Sequence, residues 1–262
     1  MRKNIKSDLV RAFTSLEFWI SIPGVLAVLL SGALDSGFGR NTVIHVLWYS
    51  TDIVQFLLVM VFGAMPYAGA VCEDLEYGYI HWIIIRSSLK DYCVSRVITV
   101  LASSVCAYTS GMMLFTVILK TRCEWFDEYD SVYQSAVNSG SFRTILQGDH
   151  FYLYAFLFSL QMGMMIGMLS LISVCISLYI TNKLLVLSIP VMAYYFITHY
   201  LAAVFPQNIF FNPDYIFAGK KNLFHNDMLS FAYAVLIMLL FSACLTWLIY
   251  LRLRRRLNGG RY

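Results

Sequence analysis

Six long apolar stretches fill most of the 262-residue chain, and none has Asp, Glu, Lys or Arg inside its core. This pattern makes lipid the solvent of the fold. A bilayer core of about 30 Å takes about 20 apolar residues per helix. The spans read as Phe18–Leu34, Ile53–Val71, Val97–Leu119, Phe151–Ile180, Leu184–Phe205 and Leu229–Leu251. Closed barrels are the other spanning solution, but barrel strands alternate apolar and polar residues. These runs are continuously apolar, so the expected fold is an all-α membrane protein with six transmembrane helices. Composition agrees: 59% of residues are hydrophobic and 13% charged, against roughly 45–50% and about 25% in soluble domains.

Lysine and arginine set the orientation. With the N-terminus inside, the inner segments carry 13 of them and the outer segments 6. The positive-inside rule therefore places both termini in the cytoplasm, with Arg252–Arg256 and Arg261 in a basic tail. The net charge of +4 follows from this bias and does not point to nucleic acid. Ser31-Gly32-Ala33 has the small-residue spacing of a signal-peptide cleavage site. The long basic flank before it and the five spans after it favour a retained first span. Of the six cysteines, only Cys123 falls in an outer segment, and none forms a CxxC pair. They read as small buried hydrophobes.

Ahead of the first span, Ile5, Leu9, Phe13 and Leu16 recur at helical spacing, with Lys3, Lys6 and Arg11 largely off that stripe. This is the pattern of a helix lying in the membrane interface. The second span carries Gly63, Pro66 and Gly69, which predict a kink. Cys72–Arg96 is the largest inner loop. Glu73, Asp74 and Glu76 sit at its membrane exit, Gly78 breaks the helix, and Tyr79–Ile85 is an apolar run too short to span. A short apolar helix outside the membrane must bury its face against lipid headgroups or a partner protein.

At this point the chain resembles an ATP-binding-cassette transporter permease of the type-two exporter class, whose members export drugs, peptides, polysaccharides or lipids. Asp8-Leu9-Val10-Arg11-Ala12-Phe13 through Phe18-Trp19 is similar to the family's elbow helix. Glu76-Tyr77-Gly78-Tyr79, the apolar run and the basic stretch Arg86–Arg96 resemble its coupling-helix loop. Lys183 falls in a tight inner hairpin, and Pro206–Met228 falls where the family has short outer helices. Two departures stand out: Tyr79 replaces a frequent Thr, and Ser87-Ser88 replaces a frequent proline.

The resemblance implies one permease domain over 1–262: elbow 1–17, coupling loop 72–96, outer loops 120–150 and 206–228, tail 252–262. It implies that Tyr79, Trp82 and Ile83 seat on a separate ATPase, that Glu73, Glu76 and Arg86 orient the loop, and that Gly78 turns it. The chain has no GxxxxGK[ST] phosphate loop. ATP and Mg would therefore bind the partner, two copies of it, and this chain would be non-catalytic. Six spans are half the usual complement, so a second permease, identical or similar, is implied. The implied setting is a bacterial plasma membrane, and the implied cargo a peptide, antimicrobial ones included, or a hydrophobic small molecule.

Within the fourth span, Gly163, Gly167, Ser170 and Ser177 share one face, and 163–167 is a GxxxG. Small residues let helices approach closely, within one chain or between subunits. Met162, Met164, Met165 and Met168 either pack the core or line an adaptable path. Outer loop 120–150 has five acidic residues against Lys120, Arg122 and Arg143, a weak attractor for cations. Gln161 and His199 are the most polar groups in the spans and read as helix–helix hydrogen bonds. An ion-coupled transporter would usually carry intramembrane charges, which the span cores lack. A membrane enzyme would need a convergent constellation that the five scattered histidines do not supply. A sensor or scaffold predicts the same spans and differs only in moving no substrate.

Overall fold

The computed structural model describes residues 2–35, 41–51, 56–80, 88–180, 182–201, 210 and 212–258. Among them the regular structure is entirely helical. In chain order the helices are α1 (Arg2–Thr14), α2 (Leu16–Asp35), α3 (Val43–Ser50), α4 (Phe56–Ala64), α5 (Ala70–Glu76) and α6 (Leu89–Lys120). Then come α7 (Ser131–Ser139), α8 (Arg143–Gln147), α9 (Phe151–Ser177), α10 (Lys183–Tyr195), α11 (Pro213–Phe217) and α12 (Asp227–Asn258). A π-helical stretch, Phe196–Leu201, continues α10.

Among the described residues, four helices are long and apolar enough to cross a bilayer: Leu16–Leu34, Leu89–Lys120, Phe151–Ser177 and Asp227–Arg256. The expected second span is not one continuous helix. α4 stops at Ala64, residues 65–69 turn, and α5 resumes and runs past the expected end to Glu76. Pro66 explains the break, because it has no N–H to donate and its ring crowds the carbonyl one turn back. In the expected fifth span, α10 passes into the π-helical stretch at Phe196; 202–209 lie outside the described residues.

α9 is the hub of the bundle: 72% of its apolar window is buried, against 22% for α12. α12 instead turns Leu236, Leu239, Leu240 and Trp247 outward. Exposed apolar faces of this extent mark a lipid-covered surface. The third expected span begins too late: α6 starts eight residues earlier, at Leu89. Ser88 caps it, its Oγ accepting the Asp91 N–H at 3.1 Å.

α2 and α6 run one way and α9 and α12 the other, so the bundle has two distinct ends. At one end, Ala12, Tyr67, Val71, Tyr92, Val97, Val174, Leu178 and Ile249 share a core. At the other, Ile44, Ala136, Phe142, Leu146 and Tyr154 form a small second core. That second end is a folded cap built from the outer segments. The Val43 N–H donates to the Glu124 carbonyl at 2.8 Å, and the Asn222 N–H donates to the Ser139 carbonyl at 2.8 Å. Asp130 caps α7 and also accepts from Thr42 Oγ1 at 2.9 Å and meets His45 Nδ1 at 3.2 Å.

Candidate functional site

Arg96 sits one helical turn after Tyr92 on α6, so both point from one face toward α1 and α5. The Arg96 side chain is 2% exposed and Asp74 is fully buried. A buried guanidinium is costly unless it is paired and hydrogen-bonded. Arg96 Nη2 donates to Asp74 Oδ2, and Nη1 donates to the Tyr67 hydroxyl. Asp8 Oδ1 lies 3.5 Å from Nη1. The rings of Tyr67 and Tyr92 flank the cation, each with its centroid 5.1 Å away. Such a sandwich adds cation–π attraction that grows where water is excluded.

The carboxylates are held in turn. Tyr92 donates to Asp74 Oδ2 at 3.0 Å, and Ser95 donates to Asp8 Oδ2 at 2.5 Å. Arg11 Nη1 reaches Asp74 Oδ1 at 3.3 Å, and Nη2 lies 3.6 Å from Glu73 Oε2. Lys183, at the start of α10, donates to Glu73 Oε1 at 2.7 Å and to Glu17 Oε1 on α2. Gly69 makes room for it: a Cβ there would come within 2.9 Å of Lys183 Cε. Burial works to lower the lysine pKa, but the hydrogen bonds it donates to the Glu17 and Glu73 carboxylates, with their negative charge, outweigh that and hold the pKa above its ordinary value.

One network of three cations and four carboxylates thus ties α1, α2, α5, α6 and α10 together. α5 leads out of it into the loop. The Tyr77 N–H donates to the Glu73 carbonyl at 3.0 Å and Gly78 N–H to the Leu75 carbonyl at 3.3 Å. Gly78 has φ +67°, the left-handed conformation that ends helices and favours glycine. Tyr79 follows, 53% exposed, its ring 6.0 Å from that of exposed Tyr77.

The structure separates two residues that the sequence groups together. Glu73 faces inward onto Lys183 and Arg11, whereas Glu76 is exposed and, among the described residues, forms no ion pair. Trp82, Ile83 and Arg86 lie outside the described residues. Sequence reasoning named Asp8, Asp74, Arg96 and Lys183 but did not join them, and it missed Glu17, Tyr67, Tyr92 and Ser95. The available signal was Tyr92 and Arg96 at i, i+4, visible only once α6 is known to begin at Leu89.

The segment ahead of the first span is helical as α1, with Ile5, Leu9 and Phe13 half-buried. Ala12 is buried and Asp8 faces Ser95 and Arg96, while Leu16 is exposed and belongs to α2. On α9, Gly163 and Gly167 face α6. A Cβ at Gly163 would sit 3.4 Å from Thr109 Oγ1, and one at Gly167 would sit 3.1 Å from Leu101 Cδ2. Ser104 Oγ donates to Ser170 Oγ at 3.2 Å, and Ser177 is buried, donating back to the Val174 carbonyl. Met162, Met164 and Met165 are buried in the main core, with Met168 packed against it. Gln161 Nε2 donates to the Ile216 carbonyl at 2.5 Å, and His199 stacks on Tyr195.

Chemically, the network is a clamp. Among the described residues no group of His, Cys, Asp and Glu is arranged to hold a metal ion. No protein-family model, curated protein or solved structure matches the chain.

Proposed function

We propose that this chain is the membrane-spanning permease subunit of an ATP-binding-cassette exporter, moving a peptide or a hydrophobic small molecule across a bacterial plasma membrane. The observation that carries the reading is the network around Arg96 and Asp74. It locks the base of the loop after α5 to α1, α2, α6 and α10. A push on that loop therefore cannot stay local: buried ion pairs are strongly coupled to both partners. That is the mechanical requirement for a subunit whose energy comes from hydrolysis on another chain.

On this reading α4 with α5, and α10 with its π-helical continuation, supply the second and fifth of six spans. α1 is the elbow, and the excess of Lys and Arg puts the network on the cytoplasmic side. Tyr79, Trp82 and Ile83 seat on the ATPase, Gly78 turns the chain toward it, and Glu73 transmits the load through Lys183. Glu76 and Arg86 help to orient the loop. ATP and Mg bind that partner, and a second permease completes the pathway.

The test is a mild-detergent pull-down of the tagged chain beside a variant carrying Tyr79→Ala, Trp82→Ala and Ile83→Asp, with mass spectrometry of the eluates. The expected result is a nucleotide-binding ATPase recovered by the native loop and lost by the variant. Extraction that preserves other transporter complexes from the same membrane, yet recovers no ATPase here, overturns the proposal and favours a sensor or scaffold.

A further inference from the structure

The cap at the other end of the bundle contains two adjoining cavities. One, of about 480 Å³, is walled by Phe142, Ile145, Leu157, Met228 and Phe231, with polar Thr144, Asn226 and Asp227 also in its wall. Its volume lies within the range of about 300–1,000 Å³ typical of small-molecule sites. The other, of about 240 Å³, is lined by Arg143, Lys221 and His225 together with neutral polar groups. His225 lines both, so the apolar slot opens directly beside the basic notch.

We infer that these cavities form one binding site for a single-chain amphiphile with a carboxylate or phosphate head. The alkyl chain enters the slot between α9 and α12, and the head rests on Arg143 and Lys221. The inference does not depend on the transporter reading and concerns the opposite end of the molecule.

The charges are placed for an anion. Arg143 Nη2 donates to the His225 carbonyl at 3.2 Å, which fixes the guanidinium and leaves further N–H donors available. Lys221 Nζ lies over the Tyr215 ring at 4.1 Å. Among the described residues, neither cation has a carboxylate within ion-pair reach, unlike Lys183 or Arg96. Asp227 lines the larger cavity and not the basic notch, and it accepts from the Thr144 N–H at 3.0 Å and from Asn222 Nδ2 at 2.6 Å. A guanidinium fork matches carboxylate and phosphate heads in planar, two-point geometry.

The site is also preformed. Phe142 and His225 both adopt left-handed backbone, φ +61° and +56°, which non-glycine residues hold only where their surroundings enforce it. The Ser141 N–H donates to the Gly219 carbonyl at 3.0 Å and Ser141 Oγ to the Lys221 carbonyl at 3.1 Å, tying the two walls. Leu157 and Phe231 lie in the first two turns of α9 and α12, so the slot is built on the ends of two long helices.

The test is equilibrium binding of radiolabelled monododecyl phosphate to the full chain in nanodiscs of zwitterionic lipid. The expected result is saturable binding. It weakens at least tenfold in Arg143→Gln with Lys221→Gln, and separately in Leu157→Trp, which fills the slot. Lys221→Glu, at an exposed position, provides a variant that leaves the Arg143 bond to the cap intact, and it too should weaken binding several-fold. Unlabelled dodecanol and inorganic phosphate should each compete at least tenfold less well than the labelled compound. Equal competition by dodecanol would reduce the site to an apolar slot, and equal competition by phosphate to an anion notch. Either outcome overturns the proposal, as does binding that no variant changes.

Discussion

Arg96 and Asp74 form an ion pair from which water is shut out, where α5, the helix leading into the loop, packs on α6. Each partner has further support: Tyr67 and Asp8 for the arginine, Tyr92 and Arg11 for the aspartate. The pair is thus a junction, and its worth lies in what it couples. Desolvating two charges offsets much of their attraction, so such a pair fixes geometry more than it adds stability.

Removing one partner is therefore worse than removing both. Arg96→Ala leaves Asp74 buried with a charge that Arg11, reaching it from a half-exposed position, cannot fully balance. The expected cost is about 3–5 kcal/mol. Arg96→Met combined with Asp74→Leu should recover part of that loss, because the fully buried Asp74 charge is gone, while Asp8, Tyr67 and Tyr92 each still lose a partner. Chemical or thermal unfolding in detergent checks both. A double variant as unstable as the single would show that the pair stabilises by its charge after all.

Lys183 gives a pH signature. Its folded pKa is raised, so its contribution is complete below the ordinary lysine value of 10.5 and is lost as pH rises through the higher folded value. The thermal midpoint of the native chain should exceed that of Lys183→Met by a constant margin from about pH 8 to pH 10, then converge with it above that range. Added salt should narrow the margin, since the lysine is partly exposed. A gap that widens at high pH would contradict the pairing with Glu17 and Glu73.

The long helices were legible because unbroken apolar runs carry their own signal. The junction was not, because its members are scattered over five elements and each alone looks like a basic or acidic flank. Asp74 reads as loop until α5 is seen to run through it, and Arg96 reads as a topology signal until α6 is seen to begin at Leu89. The cap was hidden for a different reason. Its helices α3, α7 and α8 are nine residues or fewer, and such lengths are stable only through tertiary packing.

Asp130 tests that packing. Burial alone would raise its pKa, but the Val132 N–H and the contacts from His45 and Thr42 bring it below the ordinary 3.8. The resulting stability is present in full above that value and is lost as pH falls through the lower folded pKa. Asp130→Ala should cost about 0.5–2 kcal/mol as a lost helix cap. It should also increase proteolysis at 121–150 while leaving the transmembrane helices intact. Limited proteolysis with mass mapping reads this directly, and cleavage spread evenly over the chain would argue against a separable cap.

Two glycines of the bundle should respond differently to the same substitution. In a helix interior, Gly→Ala gains about 1 kcal/mol of propensity. At Gly163 the added methyl would meet Thr109, Tyr108 and the Val105 carbonyl at 3.4 Å, close to ordinary contact, so the gain is roughly cancelled and the variant should be near neutral. At Gly111 the methyl would lie 2.7 Å from Val25 Cγ1 and 3.2 Å from the Ile22 carbonyl oxygen. Val25 is fully buried and the carbonyl belongs to the α2 backbone, so neither can step aside without moving the helix. Overpacking of this kind costs about 1–3 kcal/mol, which exceeds the propensity gain. Gly111→Ala should therefore unfold more readily than the native chain, and Gly163→Ala should not. The reverse order would mean that α2 lies further from α6 than the structure places it, and that α9 and α6 approach more closely.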